Sequence, residues 1–148
     1  MSTKITLAVL ALFLGAAVYA GGEEAVYLQK LNKELPHKFK ELKTGVTLEV
    51  VREQKVVKIY MLIDDIEQYD EILVERSDEQ QQNFSQCKEI KIEKGKYKNN
   101  YVELTDNYPL SSRMNNAYRV KTITSEGIMR MYPPVPVTSE ADAKVQNK

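Results

Sequence analysis

The chain has no tryptophan, one cysteine and one histidine among its 148 residues, and each scarcity closes off a class of protein. Cys87 alone cannot build a disulfide framework, because bridges consume cysteines in pairs. His37 alone leaves no Cys/His zinc set, and any Ser-His-Asp or Cys-His arrangement would hang on this one imidazole beside Pro36. No glycine-rich phosphate loop is present. Lysines and arginines number 21 and so do aspartates and glutamates, so no net field draws the chain to nucleic acid or an anionic membrane. Packing alone must hold the core, with no catalytic set, metal or cofactor expected. Cys87 reads as a small buried hydrophobe, the alternative being a thiol open to intermolecular pairing.

The longest apolar run in the N-terminal region, Ile5 to Ala17, is short of the roughly 20 residues a spanning helix needs. With Lys4 before it and Val18-Tyr19-Ala20 after it, residues 1–20 read as an export signal cleaved before Gly21. No cysteine lies near that point to carry a lipid. The expected product is therefore exported, periplasmic or extracellular, not a lipoprotein, and without a membrane span. In residues 21–34, Leu28 and Leu31 share helical spacing with Leu35 and follow the acidic pair Glu23-Glu24, which suits a short helix as well as a disordered leader. Pro36 ends that pattern.

Beyond Leu35 the periodicity switches from helix to strand. Runs at 46–51, 56–63, 69–77, 87–93, 101–106, 117–124 and 128–132 alternate apolar and polar residues between turn signals. In 56–63, VVKIYMLI, Val57, Ile59, Met61 and Ile63 fall on one face. Seven short strands over residues 35–132 predict an all-β, antiparallel sandwich of immunoglobulin type. Prolines 133, 134 and 136 and the polar residues after them make 133–148 an expected mobile tail.

The run VERSDEQQQNF resembles the strand and turn written (I/V)-E-R-S-x-D-G-x-x-F in the fibronectin type III-like domains of exported Bacteroidetes proteins, often found before type IX secretion sorting domains. The matching positions are Val74, Glu75, Arg76, Ser77 and Phe84, preceded by Ile72. Tyr101 to Asp106 is similar to the family's Y-x-x-x-x-D strand. AYRVKTITSEGIMRMY is similar to its late hairpin through Tyr118, Arg119, Val120, Lys121, Ile123, Gly127 and Tyr132. The resemblance implies that Phe84 opens a strand by dropping into the core, and that Ile72, Val74 and Tyr118 are buried. Tyr118 stands where a tyrosine-corner hydrogen bond forms in such folds. Tyr60 or Met61 replaces the tryptophan usual in the second strand, and no sorting domain follows.

Chemistry-bearing clusters weigh toward plain readings. Asp64, Asp65, Glu67, Asp70 and Glu71 lack the spacing and the glycine of a calcium loop and read as a solvated connection. Lys88, Lys91, Lys94, Lys96 and Lys98 mingle with Glu89 and Glu93 and read as a charged sheet face. The expected role is accordingly a non-catalytic exported module for protein interaction or structure in the cell envelope, its partner another envelope or extracellular protein. The alternative is a small ligand- or glycan-binding accessory protein, which Tyr60, Tyr97, Tyr101 and Tyr132 gathered on one exposed face would favour. An enzyme comes last.

Overall fold

A computed structural model describes residues 30–78, 81–107 and 116–139; the export signal and most of the leader lie outside them. The chain divides into two compact units, Met1–Leu42 and Lys43–Lys148. In the first, residues 30–34 are helical, and Leu31, Leu35 and Phe39 are buried. Asn32 brackets Phe39: its amide donates to the Phe39 carbonyl and its oxygen accepts from the Phe39 N–H, each at 2.9 Å. His37 lies edge-on to the Phe39 ring, centroids 5.0 Å apart.

The second unit is all-β, and its alternating residues explain why. β1 (Val46–Glu53) pairs antiparallel with β2 (Val56–Ile63), which pairs with β5 (Tyr101–Asp106). β3 (Tyr69–Ser77) lies between β4 (Phe84–Lys91) and β6 (Ala117–Thr124), and β6 pairs onward with β7 (Met129–Met131). The two sheets therefore run β5-β2-β1-β9, where β9 is Thr138–Ser139, and β4-β3-β6-β7. Val57, Ile59, Met61 and Ile63 are at most 1% exposed, and they join Leu48, Val50, Ile72, Val74, Tyr118 and Val120 in one core drawn from both sheets.

Several strands depart from the sequence expectation. The fourth begins at Phe84, not Cys87, and ends at Lys91. Val74 faces Lys88 while Glu75 faces Gln86, so Cys87 is the extra residue of a bulge. Residues 133–139 are not a free tail: β8 (Val135–Pro136) pairs with β6, and β9 (Thr138–Ser139) pairs with β1. That second pairing is parallel, so the sheets are not purely antiparallel. Prolines are tolerated here because these short strands lie at a margin, where a missing N–H costs no ladder bond.

Turns fix the registers. Gly45, φ +86°, opens β1 where a Cβ would come within 3.0 Å of the Tyr132 ring. Its N–H donates to the Asp64 carboxylate at 2.7 Å, and the Asp64 N–H returns to the Gly45 carbonyl at 2.8 Å. The acidic connection is thereby anchored: Ile66 in the short 3-10 turn Ile66–Gln68 is fully buried, and Glu67 accepts from the Gly95 N–H. Among the described residues no group of three or more His, Cys, Asp or Glu side chains could hold a metal ion.

Candidate functional site

Three consecutive residues of β3 organise the polar chemistry. Side chains alternate along a strand, so Arg76 points inward with Ile72 and Val74, whereas Glu75 and Ser77 point outward. Each finds a different partner.

On the inner side, the Arg76 guanidinium meets the Asp106 carboxylate of the other sheet at 2.7 Å. The Tyr118 hydroxyl donates to the same oxygen at 2.8 Å. Asp106 is buried and Tyr118 fully so. Burial pushes the Tyr118 phenol up, and its bond to Asp106 pushes it further. Burial disfavours the Arg76 charge, but the hydrogen bond to Asp106 and the attraction of its charge together outweigh it and raise the guanidinium above its ordinary value. Tyr118 thus makes its bond to an aspartate side chain in the opposite sheet; the tyrosine-corner expectation placed it on nearby backbone. Cys87 stands close by, half-buried, its thiol donating to the Val74 carbonyl at 3.4 Å. Burial, aided by Asp106 and opposed by Arg76 and Lys88, lifts its pKa to about 11. A thiol so placed stays protonated at neutral pH and is a poor nucleophile.

On the outer side, Glu75 accepts from the Arg119 Nε at 2.5 Å and from the Lys121 Nζ at 2.6 Å. Burial of Glu75 opposes ionisation, but the hydrogen bonds from Lys121 and Arg119 prevail and hold its carboxyl below the ordinary glutamate range. The Arg119 guanidinium lies 4.0 Å over the Phe84 ring. Phe84 is therefore a half-buried outer-face residue, contrary to its expected place in the core: it pairs with Ser77 and inherits that residue's outward direction. The Ser77 hydroxyl accepts from the Ala117 N–H at 2.8 Å, and the Asn116 amide donates to the Ser77 carbonyl at 2.6 Å.

The other singled-out residues are dispersed. Val120 is core. Gly127, φ +78°, turns the β6–β7 hairpin with open space around it. Tyr132 and Tyr97 pack against the core. Tyr60 and Tyr101 share the outer face of the other sheet, their hydroxyls donating to Glu53 and Glu103, each at 3.1 Å. Burial, then Glu53 and Glu103, push the Tyr60 pKa up to about 12. On that face Thr47 and Leu62 are 2% exposed. The four tyrosines therefore do not gather on one open surface, which removes the feature that would have favoured a glycan-binding role. Asn116 is the partner that sequence reading did not single out, and it carried no signal. Lys121 was named only as a hairpin position; its pairing with Glu75 was findable, since period two sets it beside Arg119 on one face.

Comparison with known proteins gives no family. No protein-family model matches the chain, and no curated protein does. Among solved structures, a pectate lyase from Pectobacterium carotovorum is 12% identical, with a TM-score of 0.48, over 62% of this chain and 26% of that one. A pectate lyase from Erwinia chrysanthemi, in complex with tetragalacturonic acid, is 14% identical, with a TM-score of 0.49, over 63% of this chain and 28% of that one. The chain thus spans about a quarter of the length of either.

These findings correct the sequence reading. The structures found are pectate lyases, and no family match supports kinship with fibronectin type III-like domains or a Bacteroidetes secretion context. The neighbours are enzymes, so the non-catalytic module, its ligand-binding alternative and the exclusion of enzyme activity are withdrawn. The physical reason for the false kinship is visible at Glu75-Arg76-Ser77. A strand that alternates a core-facing arginine with outward polar residues is what any two-sheet protein with cross-strand ion pairs requires. At this identity and coverage the likeness assigns no substrate to this chain.

Proposed function

We propose that the two sheets close face to face as a sandwich of immunoglobulin type, with the Asp106 contact to Arg76 and Tyr118 as the tie between them. The strand order supports this. The first, second and fifth strands share one sheet, and the third, sixth and seventh share the other, as in that architecture. Residues 1–20 direct export, the mature chain begins at Gly21, and the protein works in the periplasm or outside the cell. Its partner is another polypeptide, met along β7. The observation that carries this is exposure. Ile128, Met129 and Met131 are 60%, 54% and 53% exposed, the large hydrophobics that burial has left out among the described residues, at the margin of a sheet. Apolar groups clustered at an unpaired margin mark an interaction site.

A photoreactive side chain placed at Met129 in the full chain, irradiated in native cell envelope or culture medium, tests the reading. The expected result is one discrete protein adduct from position 129, and none from Lys55 in the β1–β2 turn. Absence of an adduct, or equal labelling from both positions, overturns it. Sequencing of the exported protein is expected to start at Gly21.

A further inference from the structure

Two backbone hydrogen bonds fix which way β7 faces. The Thr124 N–H donates to the Ile128 carbonyl at 3.0 Å, and the Tyr132 N–H to the Val120 carbonyl at 2.9 Å, with Arg130 opposite Thr122 between them. Residues 128, 130 and 132 therefore spend their N–H and C=O groups on β6. Alternation along the strand turns those of Met129 and Met131 to the free side, where no other described strand pairs. The same two residues carry exposed side chains, beside Ile123 and Lys121 on the outer face.

This margin is short and bounded. The Gly127 turn closes one end, and Pro133 and Pro134, which have no N–H, close the other. The opposite margin of the sheet, β4, is guarded by Lys88, Lys91 and the Cys87 bulge. β7 carries no bulge and a single charge, Arg130.

The geometry points to a second copy of the chain as the occupant, its β7 antiparallel to this one about a two-fold axis through Arg130. In that register Met129 lies opposite the copy's Met131, and every outward N–H and C=O of both residues finds its complement. A two-fold contact must be self-complementary, and no other register uses both residues of so short an edge. Ile123, Met129 and Met131 of the two copies then form one continuous apolar strip. The chain's formal net charge of zero puts no overall repulsion between copies. One local term opposes the pairing: Arg130 meets the copy's Arg130 across the axis. Its guanidinium is drawn aside over the Tyr132 ring, 5.5 Å from the centroid.

This inference rests on the β7 reading above and narrows it to one partner. Sedimentation velocity on the full chain, from micromolar to millimolar concentration, is expected to show a reversible monomer–dimer equilibrium. Met131→Pro removes an N–H that β6 does not use, so the variant is expected to fold and lose the dimer. Should it fail to fold, Met129→Lys serves the same purpose from the surface. Arg130→Thr is expected to tighten the dimer several-fold by removing the like-charge contact. A chain monomeric at the highest concentration, or a dimer indifferent to both Met131→Pro and Met129→Lys, overturns the proposal. A monomer that still gives a discrete adduct from position 129 with a different protein overturns the second copy alone and leaves the β7 reading standing.

Discussion

The two polar networks that β3 builds from neighbouring residues differ in what they join. Arg76 looks inward and is tied to Asp106 and Tyr118, so its network spans two sheets and sits largely out of water. Glu75 looks outward and is tied to Arg119 and Lys121, so its network spans two adjacent strands of one sheet. The same chemistry, a carboxylate receiving two donors, therefore carries different weight. Arg76, Arg119 and Lys121 are alike in exposure, at 21%, 22% and 19%, so the difference lies in what is joined: loss of the inner carboxylate unties two sheets, whereas loss of the outer charge loosens two strands that keep their backbone ladder.

The core between them sets the upper limit. Val74 is fully buried in the core with Ile72 and Val120, and a carboxylate there would be taken out of water among apolar side chains. Val74→Asp is expected to abolish the cooperative thermal transition, since the desolvation cost rivals a net stability of about 5 to 15 kcal/mol. Calorimetry showing a wild-type melt would contradict the placement of β3.

Breaking the inner tie comes next. Asp106→Ala is expected to cost about 3 kcal/mol, at the low end for a buried pair because the Arg76 side chain is 21% exposed. Tyr118→Phe, which keeps the ring and the Arg76 contact, is expected to cost about 1 kcal/mol. Urea titration of both variants sharpens the comparison. Equal losses would mean that the aspartate serves the tyrosine alone and that the arginine adds nothing.

Much of this frame was legible before any coordinates. Period-two alternation identified β2, β3 and β6 nearly to the residue, because each has one face in the core and a slip of one residue would turn that face to solvent. The prominence of Glu75, Arg76 and Ser77 was legible too, but not their reasons, which lie in partners 30 to 46 residues away in sequence. Cys87 as a bulge was hidden, since a bulge is a property of register between two strands and no single strand reveals it. The Val135–Pro136 and Thr138–Ser139 pairings were hidden by prolines, whose missing N–H argues against a central strand yet permits a marginal one. Kinship was misjudged because strand and turn patterns recur wherever sheets pack.

The outer network supplies a pH test with a definite sign. Its carboxyl is held below the ordinary glutamate range by Lys121 and Arg119 against the opposing effect of burial. The stability it contributes is complete above the unfolded value of about 4.3 and is lost as pH falls through the lower folded value. Glu75→Gln is expected to cost about 1 to 2 kcal/mol at pH 7, and the gap to wild type is expected to close on acidification below pH ~4. Thermal melts across that range check it; a gap independent of pH would assign Glu75 a packing role instead.

The smallest effect has the opposite sign, on the same outer face. Glu71 bonds to Glu89, and that contact, with lesser help from desolvation, raises its carboxyl above the ordinary value, while Lys91 pulls the other way. A raised acid contributes stability that is present below its unfolded value and lost as pH climbs through the folded one. At neutral pH the two carboxylates therefore strain against each other where Glu75 binds its cations. Glu71→Gln is expected to raise the melting temperature slightly at pH 7 and to leave it unchanged near pH 4, where the wild-type pair already holds a proton. A drop at pH 7 would instead show that Lys91, directly opposite Glu71 in register, outweighs Glu89. The outer face would then hold two favourable ion pairs and no strained one.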